Sequence, residues 1–459
     1  MQTKSRWITE WNPEDPTFWQ KTGRRVARRN LFWSIVAENI GFSVWLIWSV
    51  VTPRLNKMGF HYTTEQLFSL VALPGLLGAL MRFPYTFAVP RFGGRNWTIV
   101  SAMLLFIPTA GLALLVRHPD TPYWTMALVA ATAGLGGGNF ASSMANISFF
   151  YPDREKGFAL GLNAAGGNIG VSTVQLLIPI VMTIPLLGGG GRAALHLENA
   201  GLFWMPLIAL AALGAARFMN NLTSARSTFR DQIAVTRRKH TWVMSWLYIG
   251  TFGSFIGYSA AFPLLLKTQF PQVTMNLAFL GALVGSIARP LGGKLADRIG
   301  GTRVTLSNFV FMGMATIGVI VFLHQHAFGG FLAMFLILFV ATGLGNGSTF
   351  RMIPVIFRRQ HLQAVAGQGA LAEARALETA RRESAAVLGF TSAIGACGGY
   401  LIPRSFGASI HATGGVELAL QAFLGFYVTC VALTWWFYAR KTAAVTRLAT
   451  SLAEPQMGI

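Results

Sequence analysis

The sequence predicts an all-α membrane protein with twelve transmembrane helices. Charged residues make up only 12% of the 459-residue chain and hydrophobic residues 53%, and the apolar residues are gathered in long runs. A soluble domain carries roughly 25% charged residues, whereas a membrane helix needs about 20 mostly apolar residues in a row. Because lipid cannot satisfy backbone polar groups, each run is predicted to be a helix.

Twelve runs are long enough to cross the bilayer, and we number them spans 1 to 12 in chain order. They are predicted at residues 31–53, 65–90, 97–116, 123–151, 157–187, 200–217, 242–266, 275–298, 303–325, 330–357, 385–409 and 417–439.

Polar segments divide these spans into two bundles of six. The predicted organisation is a tail at 1–30, a first bundle at 31–217, a linker at 218–241, a second bundle at 242–439 and a tail at 440–459. A charged insert at 358–384 interrupts the second bundle, and we expect it to form a short helix on the cytoplasmic surface.

The basic residues predict the orientation of the chain. With both termini in the cytoplasm, the inside segments hold 28 Lys and Arg and the outside loops hold six, as the positive-inside rule requires. A net charge of +21 would suggest nucleic acid in a soluble protein. Here the basic residues lie in loops between spans, so we expect a lipid bilayer as partner and no nucleic acid. The first thirty residues lack the apolar core of a signal peptide.

The sequence contains no pattern that predicts a cofactor site or an enzyme active site. Its two cysteines, Cys397 and Cys430, both lie in apolar segments, so neither a disulfide framework nor a metal cluster is predicted. We found no nucleophile–base set and no phosphate-binding loop. We therefore expect a protein that is not an enzyme and has no cofactor.

The two bundles resemble each other. An offset of 207 residues relates GALMRFPYTFAVPRFGGRNWT (78–98) to GSIARPLGGKLADRIGGTRVT (285–305), and pairs Arg82 with Arg289. An offset of 228 relates spans 5 and 11, and pairs Gly161, Gly167 and Gly170 with Gly389, Gly395 and Gly398. A parallel repeat of six spans is typical of the major facilitator fold, in which a pseudo-two-fold axis relates two six-helix bundles and the substrate binds between them.

Arg82 and Arg289 are the strongest candidates for a binding site. A charge in mid-span costs at least ~2.5–3.5 kcal/mol, so it should face a cavity and have a partner. Neither span offers a nearby acid. Two facing cations would repel, and a flat anion between the planar guanidiniums would relieve that repulsion. The alternative is that each arginine caps helix carbonyls.

Spans 5 and 11 carry small residues every three or four positions. These positions allow close helix packing, or they allow the helices to rock during transport and let Asn168 reach a small substrate. Phe140, Tyr248 and Phe252 either line a cavity or belong to the lipid-facing or core surface.

Glu38 is the only acid in the interior of a predicted span, since Glu65, Asp297 and Glu417 lie at span ends. It and Arg351 lie at similar depths, on the order of 10 Å from the cytoplasmic edge. They form either an ion pair that tightens an inner gate or a site at which Glu38 couples transport to a proton.

The chain resembles the nitrate/nitrite porter family, NarK type, of the major facilitator superfamily. The resemblance covers nearly the whole chain and is carried by WNPEDPTFW, ARRNL, GGNFASSMANISFFYP, GLNAAGGNIGVS, TFGSFIGYSAAF, LLKTQFP, GLGNGSTF and GFTSAIGACGGYLIP. It implies a transporter of nitrate and nitrite in the bacterial inner membrane, and we expect a monomer.

The resemblance also implies roles for individual residues. Arg82 and Arg289 would clamp the anion, Phe140 and Phe252 would sandwich it, and Tyr248 and Asn168 would donate hydrogen bonds to it. The six glycines paired between spans 5 and 11 would be the nitrate signatures of the family.

Two modes of coupling stay open. Alternating access would take nitrate inward and nitrite outward, or nitrate would enter with protons through Glu38. Exchangers of the family are understood to lack a protonatable group in the central pathway, so Glu38 and Arg351 keep symport open. A channel or receptor fits the six-plus-six repeat less well.

Overall fold

The computed structural model of the chain describes residues 6–185, 195–223 and 235–440. Ten helical segments in these ranges are long and apolar enough to cross a membrane, and span 1 makes an eleventh with a bend of 42°. Span 4 consists of two shorter consecutive helices, Tyr123–Thr132 and Leu135–Phe150. Helix therefore occupies each of the twelve predicted positions, and the all-α membrane class is confirmed.

The first half of the chain contains mostly α-helix. Its helical segments are Pro16–Phe18, the π-helical Trp19–Gly23, Arg24–Trp45, Ile47–Val51, the 3₁₀ Thr52–Met58, Thr64–Phe92, Gly94–Leu104, Phe106–Leu115, Tyr123–Thr132, Leu135–Phe150, Asp153–Val181, Asn199–Leu202 and Trp204–Phe218.

The second half continues in the same way. Its helical segments are the 3₁₀ Val235–Arg237, Lys239–Tyr248, the π-helical Ile249–Gly253, Ser254–Gln269, the 3₁₀ Met275–Ala278, Phe279–Ile299, Gly301–His324, Phe328–Ala364, Ala370–Ala396, Gly398–Thr413, Glu417–Thr434 and the π-helical Trp435–Ala439.

Two repeat-related glycines end spans 2 and 8. Gly93 follows the helix Thr64–Phe92 with φ +85°, and Gly300 follows Phe279–Ile299 with φ +93°. Glycine adopts positive φ without the steric cost that a Cβ would bring. The repeat seen in the sequence therefore recurs as the same chain turn at equivalent places.

The segment before span 1 is folded against helix ends of the first bundle. Strand β1 (Trp7–Ile8) pairs in parallel with strand β2 (Asn221–Leu222). Trp19 is 2% exposed, and its indole Nε1 donates to Glu155 Oε1 at 2.9 Å. The aromatic residues of WNPEDPTFW give this segment an apolar face that packs against the bundle. Its polar composition alone predicts a tail.

The predicted insert at 358–384 lengthens two spans. Phe328–Ala364 runs beyond span 10, and Ala370–Ala396 leads into span 11. The turn between them contains Gly367 and Gly369, both with positive φ. The Ala, Leu, Glu and Arg residues that follow are strong helix formers, so the helix continues into the span and does not stop as a separate surface helix.

The chain forms two compact units. Unit 1 consists of Met1–Arg226, Ile256–Leu283 and Gly399–Val416, and unit 2 consists of Ser227–Phe255, Val284–Gly398 and Glu417–Ile459. The boundaries thus lie inside spans 7, 8 and 11 as well as in the predicted linker. Linker residues 224–234, together with 1–5 and 441–459 of the predicted tails, lie outside the described residues.

Unit 1 joins the first six spans to the predicted outer ends of later spans. Arg404 Nη1 lies 2.8 Å from Glu65 Oε1. Gln175 Nε2 donates to the Ser259 carbonyl at 2.7 Å. A Cβ added to Gly75 would lie 2.2 Å from the Gly399 carbonyl carbon, so these backbones touch. The predicted extracellular ends of spans 7 and 11 are therefore packed closely against the first bundle.

Candidate functional site

Arg82 lies on span 2 and is fully buried in unit 1. Its Nε donates to the Gly137 carbonyl of span 4 at 3.1 Å. Its Cζ lies 4.7 Å from the centre of the Phe140 ring and 5.5 Å from that of Trp45. Trp45 is itself held by a 2.8 Å bond from its Nε1 to the Pro74 carbonyl. The guanidinium is thus oriented by one backbone oxygen and two aromatic rings.

Glycines bring spans 2 and 4 together at this point. A Cβ on Gly137 would lie 3.0 Å from Gly78 Cα, and a Cβ on Gly134 would lie 2.5 Å from the Gly78 amide nitrogen. Small residues at such crossings let membrane helices approach closely. Because the two backbones are so near, the Gly137 carbonyl and the Phe140 ring come within reach of Arg82.

Arg289 lies on span 8 in unit 2 and is 4% exposed. Its Nη2 is 3.5 Å from the Tyr248 hydroxyl, and its Cζ is 5.7 Å from the centre of the Phe350 ring on span 10. The Tyr248 and Phe252 rings stack with centres 5.4 Å apart and planes at 20°. Tyr248 immediately precedes the π-helical turn Ile249–Gly253, which contains Phe252, and such turns are frequent at functional sites.

The two arginines are held in parallel ways. Span 10 crosses span 8 closely, since a Cβ on Gly347 would lie 2.1 Å from the Arg289 carbonyl oxygen. Each arginine therefore lies against the repeat-related span and near a phenylalanine from it. The sequence indicated Phe140 but not Phe350, because Phe140 aligns with Gly347 at the offset of 207 residues. Phe350 lies about one helical turn after Gly347. The sequence also gave no indication that Trp45 contacts Arg82.

Asn168 is 1% exposed within the helix Asp153–Val181. Among the described residues, neither its amide oxygen nor its amide nitrogen has a hydrogen-bond partner. The same holds for Asn139 and Asn346, which are related by the offset of 207 and which sequence reasoning missed. Buried amides are nearly always hydrogen-bonded, so all three are candidates for contact with a polar ligand.

The predicted signature glycines differ in their surroundings. A Cβ would meet Glu38 Oε1 at 2.5 Å from Gly167, the Asn39 carbonyl oxygen at 2.2 Å from Gly170, Tyr248 Cδ1 at 2.5 Å from Gly395, and Gly253 Cα at 2.4 Å from Gly398. Gly161 has open space around it, and Gly389 lies in the helix Ala370–Ala396. Four of the six positions thus hold helices too close for a side chain.

Glu38 is 1% exposed and is hydrogen-bonded by spans 4 and 5. Its Oε2 accepts bonds from Ser143 Oγ and, at 2.6 Å, from Asn163 Nδ2. Asn163 Nδ2 also lies 3.0 Å from Ser143 Oγ. Ser143 follows Phe140 by about one helical turn, so the carboxylate lies close to the surroundings of Arg82. The sequence did not indicate Ser143 or Asn163 as its partners.

Arg351 has an acidic partner in unit 2. Its Nε lies 2.5 Å from Asp297 Oδ1, and both side chains are about half exposed. Asp297 lies near the end of the helix Phe279–Ile299, and its pairing with span 10 was not predicted. Glu38 and Arg351 thus each have polar partners within their own unit.

Two repeat-related sets of membrane helices, each holding a buried arginine against an aromatic ring, define this chain as a membrane carrier. The Major Facilitator Superfamily model matches residues 34–376. The chain is 46% identical to the nitrate/nitrite transporter NarU of Escherichia coli (strain K12), over 95% of this chain and 96% of that one. It is 36% identical to a probable nitrate/nitrite antiporter, NarK2 of Thermus thermophilus, over 96% and 98%.

The chain therefore belongs to the nitrate/nitrite porter family, NarK type, of the Major Facilitator Superfamily. This confirms the resemblance seen in the sequence and the assignment to transporters and not to enzymes. A crystal structure of a bacterial homolog of the human lysosomal transporter Spinster, in an inward-facing and occupied conformation, has a TM-score of 0.61. At 14% identity over 88% of this chain and 95% of that one, this likeness shows the fold alone.

Proposed function

We propose that this chain carries nitrate and nitrite across the bacterial inner membrane by alternating access, taking nitrate inward and nitrite outward. The observation that carries the proposal is the burial of Arg82 and Arg289, one in each repeat, each against a phenylalanine from the neighbouring span. The names of relatives such as NarU support the choice of anion.

The chemistry of the side chains fits a flat anion with three oxygens. A guanidinium is planar and always charged, and it donates two parallel hydrogen bonds to an oxyanion. Phe140 and Phe252 would cover the faces of the anion, while the Tyr248 hydroxyl and the Asn168 amide would donate to its edge. Glycines at 167, 170, 395 and 398 would let the surrounding helices move in close contact.

Exchange follows from the charge of the carrier. Two cations in mid-membrane are costly in the absence of an anion, so the empty carrier should change conformation slowly. A bound anion would lower the barrier to this change. After nitrate is released inside, the carrier would therefore return to face outward faster with nitrite bound than with the site empty. Binding energy that favours one conformation can shift the population of carriers toward it.

The test is uptake of labelled nitrate into proteoliposomes. Vesicles preloaded with nitrite should take up nitrate several times faster than empty vesicles, and an imposed pH gradient should have little effect. Equal uptake by loaded and empty vesicles would contradict obligatory exchange.

A second candidate function is nitrate–proton symport, which the surroundings of Glu38 favour. The carboxylate is buried and accepts from Ser143 and Asn163, close to Phe140. Protonation would remove the negative charge of Glu38 and change its hydrogen bond with Ser143 on span 4. Binding or release of a proton could therefore shift span 4. Ionisable residues inside a membrane are commonly functional.

The variant Glu38→Gln separates the two functions. Symport predicts that uptake driven by an imposed pH gradient is lost, while exchange of nitrate for nitrite persists. The control is Glu378→Gln, since Glu378 is an exposed residue that pairs with Arg382 outside the spans. If the Glu38→Gln protein responds to the gradient as the unchanged protein does, Glu38 does not carry the proton.

A further inference from the structure

Four arginines meet at the inner end of unit 1, away from the buried Arg82. They are Arg6, Arg29, Arg95 and Arg217, and each lies in or contacts residues 216–221, which include the end of the helix Trp204–Phe218. We call these residues the inner arginine cluster. Arg29 and Arg217 are exposed, while Arg6 and Arg95 are half-buried.

Direct hydrogen bonds hold this cluster in place. Arg95 Nε and Nη2 donate to the Ala216 carbonyl at 3.1 and 2.8 Å. Arg29 Nη2 donates to Asn220 Oδ1 at 2.8 Å. The Arg6 carbonyl accepts from the Asn221 amide at 2.9 Å. Three separate parts of the chain are thereby fixed around one segment, with their positive charges close together.

The charges of the cluster are not balanced by acids in the described part of the chain. Burial lowers the pKa of Arg29, and the charges of Arg6, Arg25 and Arg217 lower it further; burial and the charge of Arg6 likewise lower the pKa of Arg95. Within the described residues, no salt bridge joins any member of the cluster to a carboxylate. Among the acids at this end of the bundle, Glu155 lies 4.0 Å from Arg24 and 3.9 Å from Arg154, and Asp153 pairs with Lys156. A group of like charges raises the local concentration of counter-ions, so an anion is favoured here.

An exposed apolar surface adjoins the cluster. Arg217 Cζ lies 5.5 Å from the Phe218 ring, which stacks on Trp33 with centres 5.4 Å apart. On the same two spans, Phe32 is 58% exposed and Leu213 is 67% exposed. In a membrane protein this surface faces acyl chains. The cations thus lie at the edge of a lipid-facing surface, where a phosphate and its hydrocarbon tails would both find contacts.

We propose that the inner arginine cluster binds the phosphate of an acidic phospholipid, with Arg29 and Arg217 in contact with the headgroup. Its acyl chains lie along Phe32, Leu213 and Phe218. Basic sites at the cytoplasmic ends of membrane helices recognise such headgroups. The arginine fork matches the geometry of phosphate. The inference rests on the membrane fold and not on the choice of transported anion.

Native mass spectrometry of the full-length protein in detergent tests the proposal. Phosphatidylglycerol, phosphatidylcholine and inorganic phosphate are each titrated into the unchanged protein and into the double variant Arg29→Gln/Arg217→Gln. We expect retention of phosphatidylglycerol by the unchanged protein and a loss of about 30-fold in affinity in the double variant, from two arginine contacts. We expect no specific binding of phosphatidylcholine.

The matched control is Arg24→Gln/Arg28→Gln, which also removes two positive charges, both from the helix that carries Arg29 but near Glu155 and Tyr151. It should retain phosphatidylglycerol. An equal loss in both double variants, or equally tight binding of inorganic phosphate, would overturn the lipid site. If the first double variant fails to fold, Arg217→Gln alone serves, since its side chain is exposed. Nitrate exchange in the same proteins reports separately on the transport proposal.

Discussion

At the scale of single residues, Arg82 and Arg289 are equivalent in the repeat but differ in their partners. Arg82 is bonded to the Gly137 backbone carbonyl, which cannot leave its helix. Arg289 approaches the Tyr248 hydroxyl, a group that also suits the oxygen of an anion. Under the proposed function, we therefore expect Arg82 to keep its backbone contact and Arg289 to exchange its contact with Tyr248 when an anion binds.

Replacing Arg82 with lysine tests the chemistry of the site. Lysine keeps the charge but loses the planar fork and the Nε donor to Gly137. Loss of a charge-assisted hydrogen bond predicts a fall in nitrate uptake of roughly 10- to 100-fold. The control is Arg91→Lys, because Arg91 is an exposed arginine at the end of the same span. Uptake near that of the control would mean that charge alone is sufficient.

Replacing Phe350 with leucine tests the aromatic partner of Arg289. A cation–π contact contributes about 0.5–2 kcal/mol, so the KM for nitrate should rise roughly 2- to 30-fold. The same substitution at Phe311, which is 57% exposed on span 9, should leave KM unchanged. A KM that stays constant in Phe350→Leu, with the melting temperature preserved, would remove Phe350 from the site.

The sequence predicts only part of this site. Arg82 and Arg289 are found because a buried charge is rare and the repeat pairs them. Phe350, Trp45, Ser143 and Asn163 escape because their contacts depend on the rotation of one helix against another. No property of phenylalanine or serine within an apolar run distinguishes a residue beside a buried charge from one beside lipid.

At the scale of the helices, the glycines of Asp153–Val181 differ in how closely they pack against other helices. Gly170 faces the Asn39 carbonyl of span 1, and Gly167 faces Glu38 on the same span. Gly161 is clear of other atoms. The pattern of small residues in the sequence is therefore a mixture of contact positions and open ones, which periodicity alone cannot separate.

Two alanine substitutions on this helix should change stability in opposite directions. Gly170→Ala would place a Cβ 2.2 Å from a backbone oxygen, and overpacking of this kind costs about 1–3 kcal/mol. Gly161→Ala meets no atom within 4 Å and gains the helix propensity of alanine, worth about 0.8–1 kcal/mol. Melting temperatures of the purified proteins should fall for the first and hold or rise for the second. The reverse order would contradict the described packing of spans 1 and 5.

The elements themselves are largely predictable, with two exceptions. Hydropathy identifies the spans because lipid imposes one requirement on all of them. The segment at 6–23 and the insert at 358–384 are polar enough to be read as surface, yet Trp19 is buried and the insert extends two helices. Their structure depends on aromatic residues and helix formers, which average hydropathy does not distinguish from solvated chain.

At the scale of the whole molecule, loop charge predicts that both termini are cytoplasmic. Green fluorescent protein fused to the C-terminus should fluoresce in cells, whereas alkaline phosphatase fused at the same place should be inactive. The control is alkaline phosphatase placed after Arg117, in a predicted outside loop, where it should be active. Active phosphatase at the C-terminus would reverse the orientation or change the number of spans.

The repeat was predictable, but the composition of the two units was not. The repeat pairs six spans with six, while the units divide within spans 7, 8 and 11. That division records which helix ends are packed together in one conformation, as Glu65 and Arg404 are. Under the proposed alternating access, such contacts would form and break in every cycle, so no single sequence pattern would be expected to encode them.

The contact between Gly253 and Gly398 has a mechanical consequence. Gly253 ends the π-helical turn of span 7, and Gly398 stands where the helix of span 11 resumes after a break. The irregular turn of span 7 and the break in span 11 therefore lie side by side, and only glycine hydrogens separate the two backbones. Because no side chain hinders bending there, we expect both spans to bend at these glycines during transport.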